Sequence, residues 1–167
     1  YIVRKIPYDF EYSDIQAGIG TPHAVFAEFT ADETLLVRAE AQALLGHYTE
    51  ALNDLNTELA AFSKTGVQLT LDDVKKFYSD DVTAYYTPEK PTPRKAFHTS
   101  FAIDKDTEEP MLQCILHLRR IMTIHEGLRM QDVKRYGITI YRRDVKSNYK
   151  ITGITDTMEA RDPRLAI

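Results

Sequence analysis

A short linker between two amphipathic stretches constrains the fold of this chain more than any other feature. The first stretch, TADETLLVRAEAQALLG, places Thr30 and Glu33 in capping-box spacing and ends at Gly46, a frequent helix terminator. Thr49 then begins a second helical stretch, EALNDLNTELAAF, after a linker of about three residues. Two helices joined by so short a turn lie antiparallel, so the sequence predicts a helical hairpin.

The turn of this hairpin resembles one unit of a tetratricopeptide repeat, whose second half reads Gly-x-Tyr-x-x-Ala-Leu. Gly46, Tyr48 and Ala51 occupy these positions in GHYTEAL, and the small Ala39 and Ala43 allow the two helices to approach closely. Only one such unit is visible, whereas about three are needed for a free-standing array. We therefore expect the neighbouring units to be degenerate or to lie outside the sequence.

Two further helices are predicted on either side of a long loop. The segment TLDDVKKFYSDDVTAYY has Thr70 as its N-cap, and the aspartates of its first turn complement the helix dipole. Residues 87–106 contain several prolines and no helical period, so they form a loop, and loops of this length are usually functional. The last helix is predicted to run unbroken from about Pro110 to Tyr136 and to end at Gly137.

Extended segments are predicted at both ends of the chain. Residues 1–29 combine short apolar runs with the turn AGIGTPH, which indicates extended or irregular structure. The alternating segment ITIYRR predicts a strand, YKITGIT predicts its partner, and MEARDPRLAI predicts a coil. Because the sequence starts at Tyr1 and stops at Ile167 in the middle of a pattern, we expect it to be a piece of a longer protein.

Charge and cysteine content argue against several classes of protein. The net charge is −4 and the pI is near 5.7, whereas nucleic-acid partners usually require a basic face. The single cysteine, Cys114, excludes an internal disulfide and a cysteine-based zinc site. There is no Gly-rich phosphate loop, no His-Glu-x-x-His spacing and no nucleophile elbow. We therefore predict no catalytic residue, no metal site and no cofactor.

The charged end of the last predicted helix, EGLRMQDVKRYG, raises the question of an acid–base site. A helical wheel places Arg129 and Asp132 on the buried side, three residues apart, where they can form a salt bridge, and Arg119 on the opposite side. Glu126 and Asp132 are about 120° apart around the helix and about 9 Å apart along it, too far to act on one glycosidic bond. We therefore predict structural roles for Glu126, Arg129 and Asp132, and also for Gly46 as the helix terminator.

Aromatic residues in and beside the long loop are the candidate ligand contacts. They are Tyr85, Tyr86, Phe97 and Phe101. Exposed aromatic rings on loops stack on the apolar faces of sugars and other flat ligands. The alternative is that these rings anchor the loop on the helices, and the residues alone leave both interpretations open.

Three segments of the chain together resemble one known family. Residues 118–137, LRRIMTIHEGLRMQDVKRYG, are similar to the C-terminal signature of SusD/RagB-like outer-membrane lipoproteins. Residues 35–56, LLVRAEAQALLGHYTEALNDLN, resemble the Leu-x-x-Ala-Glu-Ala helix of that family and the Ala-x-x-x-Leu-Asn that follows it. The closing DPRLAI resembles its Asp-x-Arg segment. The positions that match the signature are Arg119, Arg120, Glu126, Gly127, Arg129, Asp132, Arg135 and Gly137.

The resemblance implies a mainly α fold, a tetratricopeptide-like superhelix of helical hairpins with irregular loops and a small β element. It implies that residues 1–167 are a fragment of a single domain, with a helical part at 30–137 that includes the loop 87–106, and an irregular C-terminal part at 138–167. The N-terminal portion of the full-length protein, which would carry a lipid anchor, would be absent from this sequence.

The function implied by the resemblance is binding without catalysis. A glycan or another nutrient would be bound at the outer-membrane surface and delivered to a SusC-like TonB-dependent transporter. Two other hypotheses stay open: a tetratricopeptide-like adaptor that recognises a peptide in its helical groove, and a glycan-processing enzyme whose catalytic carboxylates lie outside this sequence.

Overall fold

The described part of the chain forms five α-helices and two antiparallel β-hairpins. The computed structural model describes residues 9–25, 27, 29–78, 94–159 and 162–165. The helices are α1 (Ala31–Leu44), α2 (Tyr48–Phe62), α3 (Leu71–Phe77), α4 (Glu108–Met122) and α5 (Arg129–Tyr136). The strands are β1 (Asp9–Asp14), β2 (Ile19–His23), β3 (Ile140–Val145) and β4 (Ile151–Met158), and a short 3₁₀ turn spans Pro163–Leu165.

The prediction of a mainly α fold built as a tetratricopeptide-like superhelix is wrong. About 45% of the described residues are helical and about 18% lie in strands, so the fold is a small mixed α/β structure. The described residues contain one helical hairpin, α1–α2, and the single helix α4 packs against α1. A superhelix requires hairpins stacked on one another, and here α4 and the short α3 fill the place beside the first hairpin.

The predicted helical hairpin itself is confirmed, with one correction at its turn. The Thr30 hydroxyl accepts a hydrogen bond from the Glu33 amide at 3.2 Å and so caps α1. The predicted cap at Thr49 is wrong, because α2 already begins at Tyr48. Gly46 has φ +77° at the end of α1, a left-handed conformation that favours glycine.

The core lies where α1, α2 and α3 pack around α4, in which residues 109–116 are all buried. The capping box predicted from Thr70 is present: its hydroxyl accepts from the Asp73 amide at 3.2 Å, and the Asp73 carboxylate accepts from the Thr70 amide at 3.0 Å. The predicted continuation of this helix beyond Tyr78 lies outside the described residues. The fully buried apolar side chains include Leu36, Leu55, Val74, Met111, Leu112, Ile115 and Ile138.

The prediction of one unbroken helix from Pro110 to Tyr136 is also wrong. The chain leaves the helical conformation between α4 and α5, where His125 has φ 69° and Gly127 has φ 79°. Neither value is compatible with a right-handed helix. Thr123 closes α4, since its hydroxyl and its amide both bond to the carbonyl oxygen of Arg119, at 2.8 Å each.

The two β-hairpins lie on either side of the helices in sequence. The predicted pairing of ITIYRR with YKITGIT is confirmed as β3–β4. The β1–β2 hairpin lies in the segment expected to be extended or irregular, and nearly all its residues are exposed. Residues 94–106 of the predicted loop form neither helix nor strand, while 87–93 lie outside the described residues.

Gly20 offers a test of the first hairpin. A Cβ at this position would collide with the carbonyl oxygen of Glu11 and with the Phe10 ring, so Gly20→Ala should destabilise β1–β2 by about 1–3 kcal/mol. Hydrogen exchange should accelerate at amides 9–23 while the helical amides keep their protection. Gly153→Ala in β4, where a Cβ meets open space, is the matched control. Equal exchange in both variants would contradict this account.

Candidate functional site

A buried cluster of charged side chains joins α1, α4 and α5. Arg119 of α4 lies at its centre, only 8% exposed. Its guanidinium donates to the carboxylate of Glu40 in α1 and to that of Asp132 in α5, the latter at 2.9 Å. Glu40 also accepts from the Tyr136 hydroxyl at 2.5 Å and faces Arg135 Nε at 3.2 Å. One carboxylate of α1 thus contacts three side chains from the other two helices.

The protonation states of this cluster follow from burial and from its charges. Burial alone would lower the pKa of Arg119, but the carboxylates of Glu40 and Asp132 outweigh it and raise that pKa. Burial raises the pKa of Asp132, which the neighbouring arginines oppose. Burial and the hydrogen bond to Glu40 raise the pKa of Tyr136, so its hydroxyl stays protonated and donates. These groups are held by one another, and this arrangement is typical of a structural ion-pair network.

The residues predicted to be structural occupy different positions in this arrangement. Arg129 Nη1 lies 3.7 Å from Asp132 Oδ2, whereas Arg119 is the closer partner of Asp132. The prediction that Arg119 faces away from the core is wrong. On an unbroken helix Arg119 and Asp132 would lie about 20 Å apart along the axis, and only the break after α4 brings them together. Glu126 is exposed within that break, and Gly46 lies away from the cluster, at the α1–α2 turn.

The predicted aromatic ligand contacts are only partly within the described residues. Tyr85 and Tyr86 lie outside them. The Phe97 ring packs on the core with its centroid 5.0 Å from that of Tyr136, and the Phe101 ring meets Tyr136 edge-on at 6.0 Å. Both contacts are those expected if these rings anchor the loop on the helices. Phe101 is still 38% exposed, so its role as a ligand contact stays a prediction.

A cavity of about 630 Å³ opens between α2, α3 and α4. Its size lies in the range of small-molecule sites. No local pattern in the sequence predicts this cavity, because its lining comes from three helices and the segment between α2 and α3. The apolar lining residues are Leu59, Val67, Leu69, Val74, Phe77 and Leu118.

Five polar side chains also line this cavity: the ionisable Asp73 and Lys76 of α3, and Tyr78, Cys114 and His117. The Tyr78 hydroxyl lies 2.8 Å from Nδ1 of His117. Burial, together with the positive charges of Arg120 and Arg129, lowers the pKa of His117 to about 4. Burial raises the pKa of the Cys114 thiol to about 12. The cavity therefore combines largely apolar walls with the Tyr78–His117 pair and the ionisable side chains of Asp73 and Lys76. Cys114 supplies no thiolate nucleophile.

Neither a metal site nor a membrane-spanning helix is found among the described residues. They contain no group of three or more His, Cys, Asp or Glu side chains placed to hold a metal ion. No helix in the same part of the chain is long and apolar enough to cross a bilayer.

Comparison of the chain with family models, curated proteins and solved structures finds no match. The resemblance to SusD/RagB-like lipoproteins therefore remains a prediction that rests on the residues quoted for it.

Replacing Arg119 tests the buried cluster. Arg119→Met leaves the carboxylates of Glu40 and Asp132 buried without their shared cation, so the free energy of unfolding should fall by about 3–5 kcal/mol. Urea denaturation followed by circular dichroism measures this change. Arg38→Met is the matched control, because Arg38 bonds Asp54 between α1 and α2 with a side chain 63% exposed, and it should change the midpoint little. Similar losses in both variants would contradict a special role for Arg119.

The lowered pKa of His117 predicts a specific acid sensitivity. Because this pKa is about 4 in the folded chain and about 6.5 in an unfolded one, the unfolded state binds the proton first as the pH falls. Between about pH 6.5 and 4 the free energy of unfolding should therefore decrease, by about 2 kcal/mol after allowance for the water-accessible part of the ring.

Urea denaturation at pH 7.5 and 4.5 measures the acid sensitivity. His117→Gln should lose less stability over this interval than the parent chain, since the carboxylates common to both cancel in the comparison. The exposed His23→Gln serves as the control and should behave like the parent. A His117→Gln variant with the full acid sensitivity would show that His117 is not the responsible group.

Proposed function

We propose that this chain is part of a non-catalytic nutrient-binding lipoprotein of the SusD/RagB type. One observation carries the proposal: Glu40 and Arg119, 79 positions apart, form a buried ion pair. Glu40 belongs to the segment 35–56 and Arg119 to the segment 118–137, the two longest segments on which the resemblance rests.

Pairing between the two segments supports the resemblance on physical grounds. A chance likeness in two distant segments gives no reason for their charged residues to meet. Here Arg119, Asp132 and Arg135 of one segment form a single cluster with Glu40 of the other. The cluster also assigns these residues to holding the helices together, so the ligand contacts would come from elsewhere in the chain.

In this proposal the protein binds a glycan or another nutrient by stacking and hydrogen bonding, and performs no reaction on it. Phe101, the half-exposed ring of the segment 94–106, is the candidate stacking residue among those described. The full-length protein, anchored by a lipid at the outer-membrane surface, would then deliver the ligand to a SusC-like TonB-dependent transporter.

Isothermal titration calorimetry with a panel of oligosaccharides tests this function. We expect saturable binding of at least one oligosaccharide, with no new reducing ends after prolonged incubation. Phe101→Ala should weaken that binding about fivefold, the loss of one stacking contact. Phe62→Ala removes an exposed ring of α2 and should leave the affinity unchanged. The absence of binding by the whole panel, or turnover of a bound oligosaccharide, would contradict the proposal.

The apolar cavity favours a second candidate, a protein–protein adaptor that takes apolar side chains of a peptide. Its apolar walls suit such side chains better than the hydroxyl groups of a sugar. Calorimetry with an amphipathic helical peptide distinguishes the two candidates. Binding of the peptide alone, abolished by Val67→Asp in the cavity wall, would replace the first proposal with the second.

A further inference from the structure

The apolar cavity between α2, α3 and α4 opens to solvent beside two of its lining residues. Val67, in the segment between α2 and α3, and Phe77 of α3 both line the cavity and both remain exposed. At roughly 30 Å³ for each water-sized group, the cavity volume of about 630 Å³ admits a molecule of about 20 non-hydrogen atoms. The cavity is therefore large enough for a whole small molecule, which can enter beside Val67 and Phe77.

One wall of the cavity is held in place by a single side chain of α2. The Asn56 side chain accepts a hydrogen bond from the Leu69 amide at 2.7 Å and donates one to the Leu69 carbonyl oxygen at 3.0 Å. Directly after Leu69, the capping box of Thr70 and Asp73 fixes the start of α3. Both Leu69 and Asp73 line the cavity, so this wall is formed without help from a ligand, which lowers the cost of binding.

The cavity wall carries one group suited to a hydrogen bond with an uncharged ligand. Tyr78, Cys114 and His117 all line the cavity, and the Tyr78 hydroxyl bonds to Nδ1 of His117 at 2.8 Å and to the Cys114 thiol. A thiol is a weak hydrogen-bonding partner, so a hydroxyl group of a ligand can replace it at the phenolic oxygen. Tyr78 thus gives an otherwise apolar wall a point that orients a ligand.

The charged side chains of the lining favour neither an anion nor a cation. Asp73 and Lys76 of α3 carry opposite charges, and the Asp73 carboxylate already accepts from the Thr70 amide at 3.0 Å. An ionic group would lose its hydration against the apolar walls, a cost that an uncharged molecule avoids. Apolar cavities lined by such side chains bind small aromatic molecules.

We propose that this cavity is a binding site for a small uncharged molecule made of fused apolar rings with one hydroxyl group. The rings lie among Leu59, Leu69 and Leu118, and the hydroxyl group bonds to the Tyr78 oxygen. This inference does not rest on glycan binding, because the candidate sugar contact, Phe101, is not part of the cavity lining. It differs from the peptide adaptor in that a whole small molecule, and not the side chains of a peptide, occupies the cavity.

Fluorescence titration of the full chain with three naphthyl probes tests the inference. Naphthalene is the apolar parent compound, β-naphthol adds a hydroxyl group, and β-naphthoate adds a carboxylate. The chain contains no tryptophan, so its own emission interferes little with that of the probes. We expect β-naphthol to bind about fivefold more tightly than naphthalene, the contribution of one hydrogen bond. β-Naphthoate should bind at least about tenfold more weakly than β-naphthol, because its charge loses hydration.

Two variants, each with a matched control, locate the ligand. Leu118→Phe fills part of the cavity and should weaken β-naphthol binding at least about tenfold without lowering the melting temperature, since the new ring occupies empty space. Ile121→Phe, at an exposed position of the same helix, should leave the binding unchanged. Tyr78→Phe should abolish the preference for β-naphthol over naphthalene, whereas Tyr12→Phe, which removes an exposed hydroxyl of β1, should keep it. If Tyr78→Phe fails to fold, as judged by circular dichroism, the Leu118→Phe pair still decides whether the cavity is the site.

The outcomes distinguish this inference from both candidate functions. Failure of all three probes to bind, or an equal loss of affinity in Leu118→Phe and Ile121→Phe, would overturn the cavity as a small-molecule site. Tightest binding of β-naphthoate would overturn the uncharged class of ligand. If an amphipathic helical peptide binds and β-naphthol does not, the adaptor replaces this inference. None of these results bears on glycan binding, which the Phe101→Ala variant tests separately.

Discussion

The Arg119 guanidinium places a permanent positive charge between α1, α4 and α5, and the arrangement of these helices depends on its partners. Arginine cannot give up its charge by deprotonation in a protein, so its burial requires nearby carboxylates. Glu40 of α1 and Asp132 of α5 supply them. Because α5 must turn back for Asp132 to reach Arg119, the interruption after α4, where His125 and Gly127 have positive φ, is a condition of this pairing.

The position of the segment 94–106 follows from the same cluster. Tyr136 donates its hydroxyl to Glu40, which fixes its ring between the core and that segment. Phe97 and Phe101 both contact the ring, and the His98 amide donates to the Tyr136 carbonyl oxygen at 2.8 Å. A ligand that stacks on Phe101 would therefore rest on a surface whose geometry depends on a buried ion pair, although the ion pair does not touch the ligand.

Most features with a local signal could be predicted from the sequence, with the cap at Thr49 as an exception, and features that depend on contacts between distant residues could not. The caps at Thr30 and Thr70 and the β3–β4 pairing rely on neighbouring residues, and each was predicted correctly. The prediction of a superhelix assumed that the hairpin α1–α2 is repeated, and the described residues contain no second hairpin of helices. The helical wheel placed Arg119 outside the core because it gave a single buried stripe to α4, which is buried on more than one side. Its assumption of a continuous helix also hid the bond between Arg119 and Asp132. The apolar cavity could not be predicted, because segments far apart in sequence form its walls.

The consecutive residues Arg119 and Arg120 show how the environment decides the role of a side chain. Neighbouring positions on a helix point about 100° apart, so the two guanidinium groups enter different surroundings. Arg119 meets two carboxylates, which raise its pKa and fix it in place. Arg120 lines the narrow cleft between α4 and α5, together with Arg129 and Phe97. Both arginines match the same family signature, but only the fold shows that Arg119, and not Arg120, lies at the centre of the buried ion-pair network.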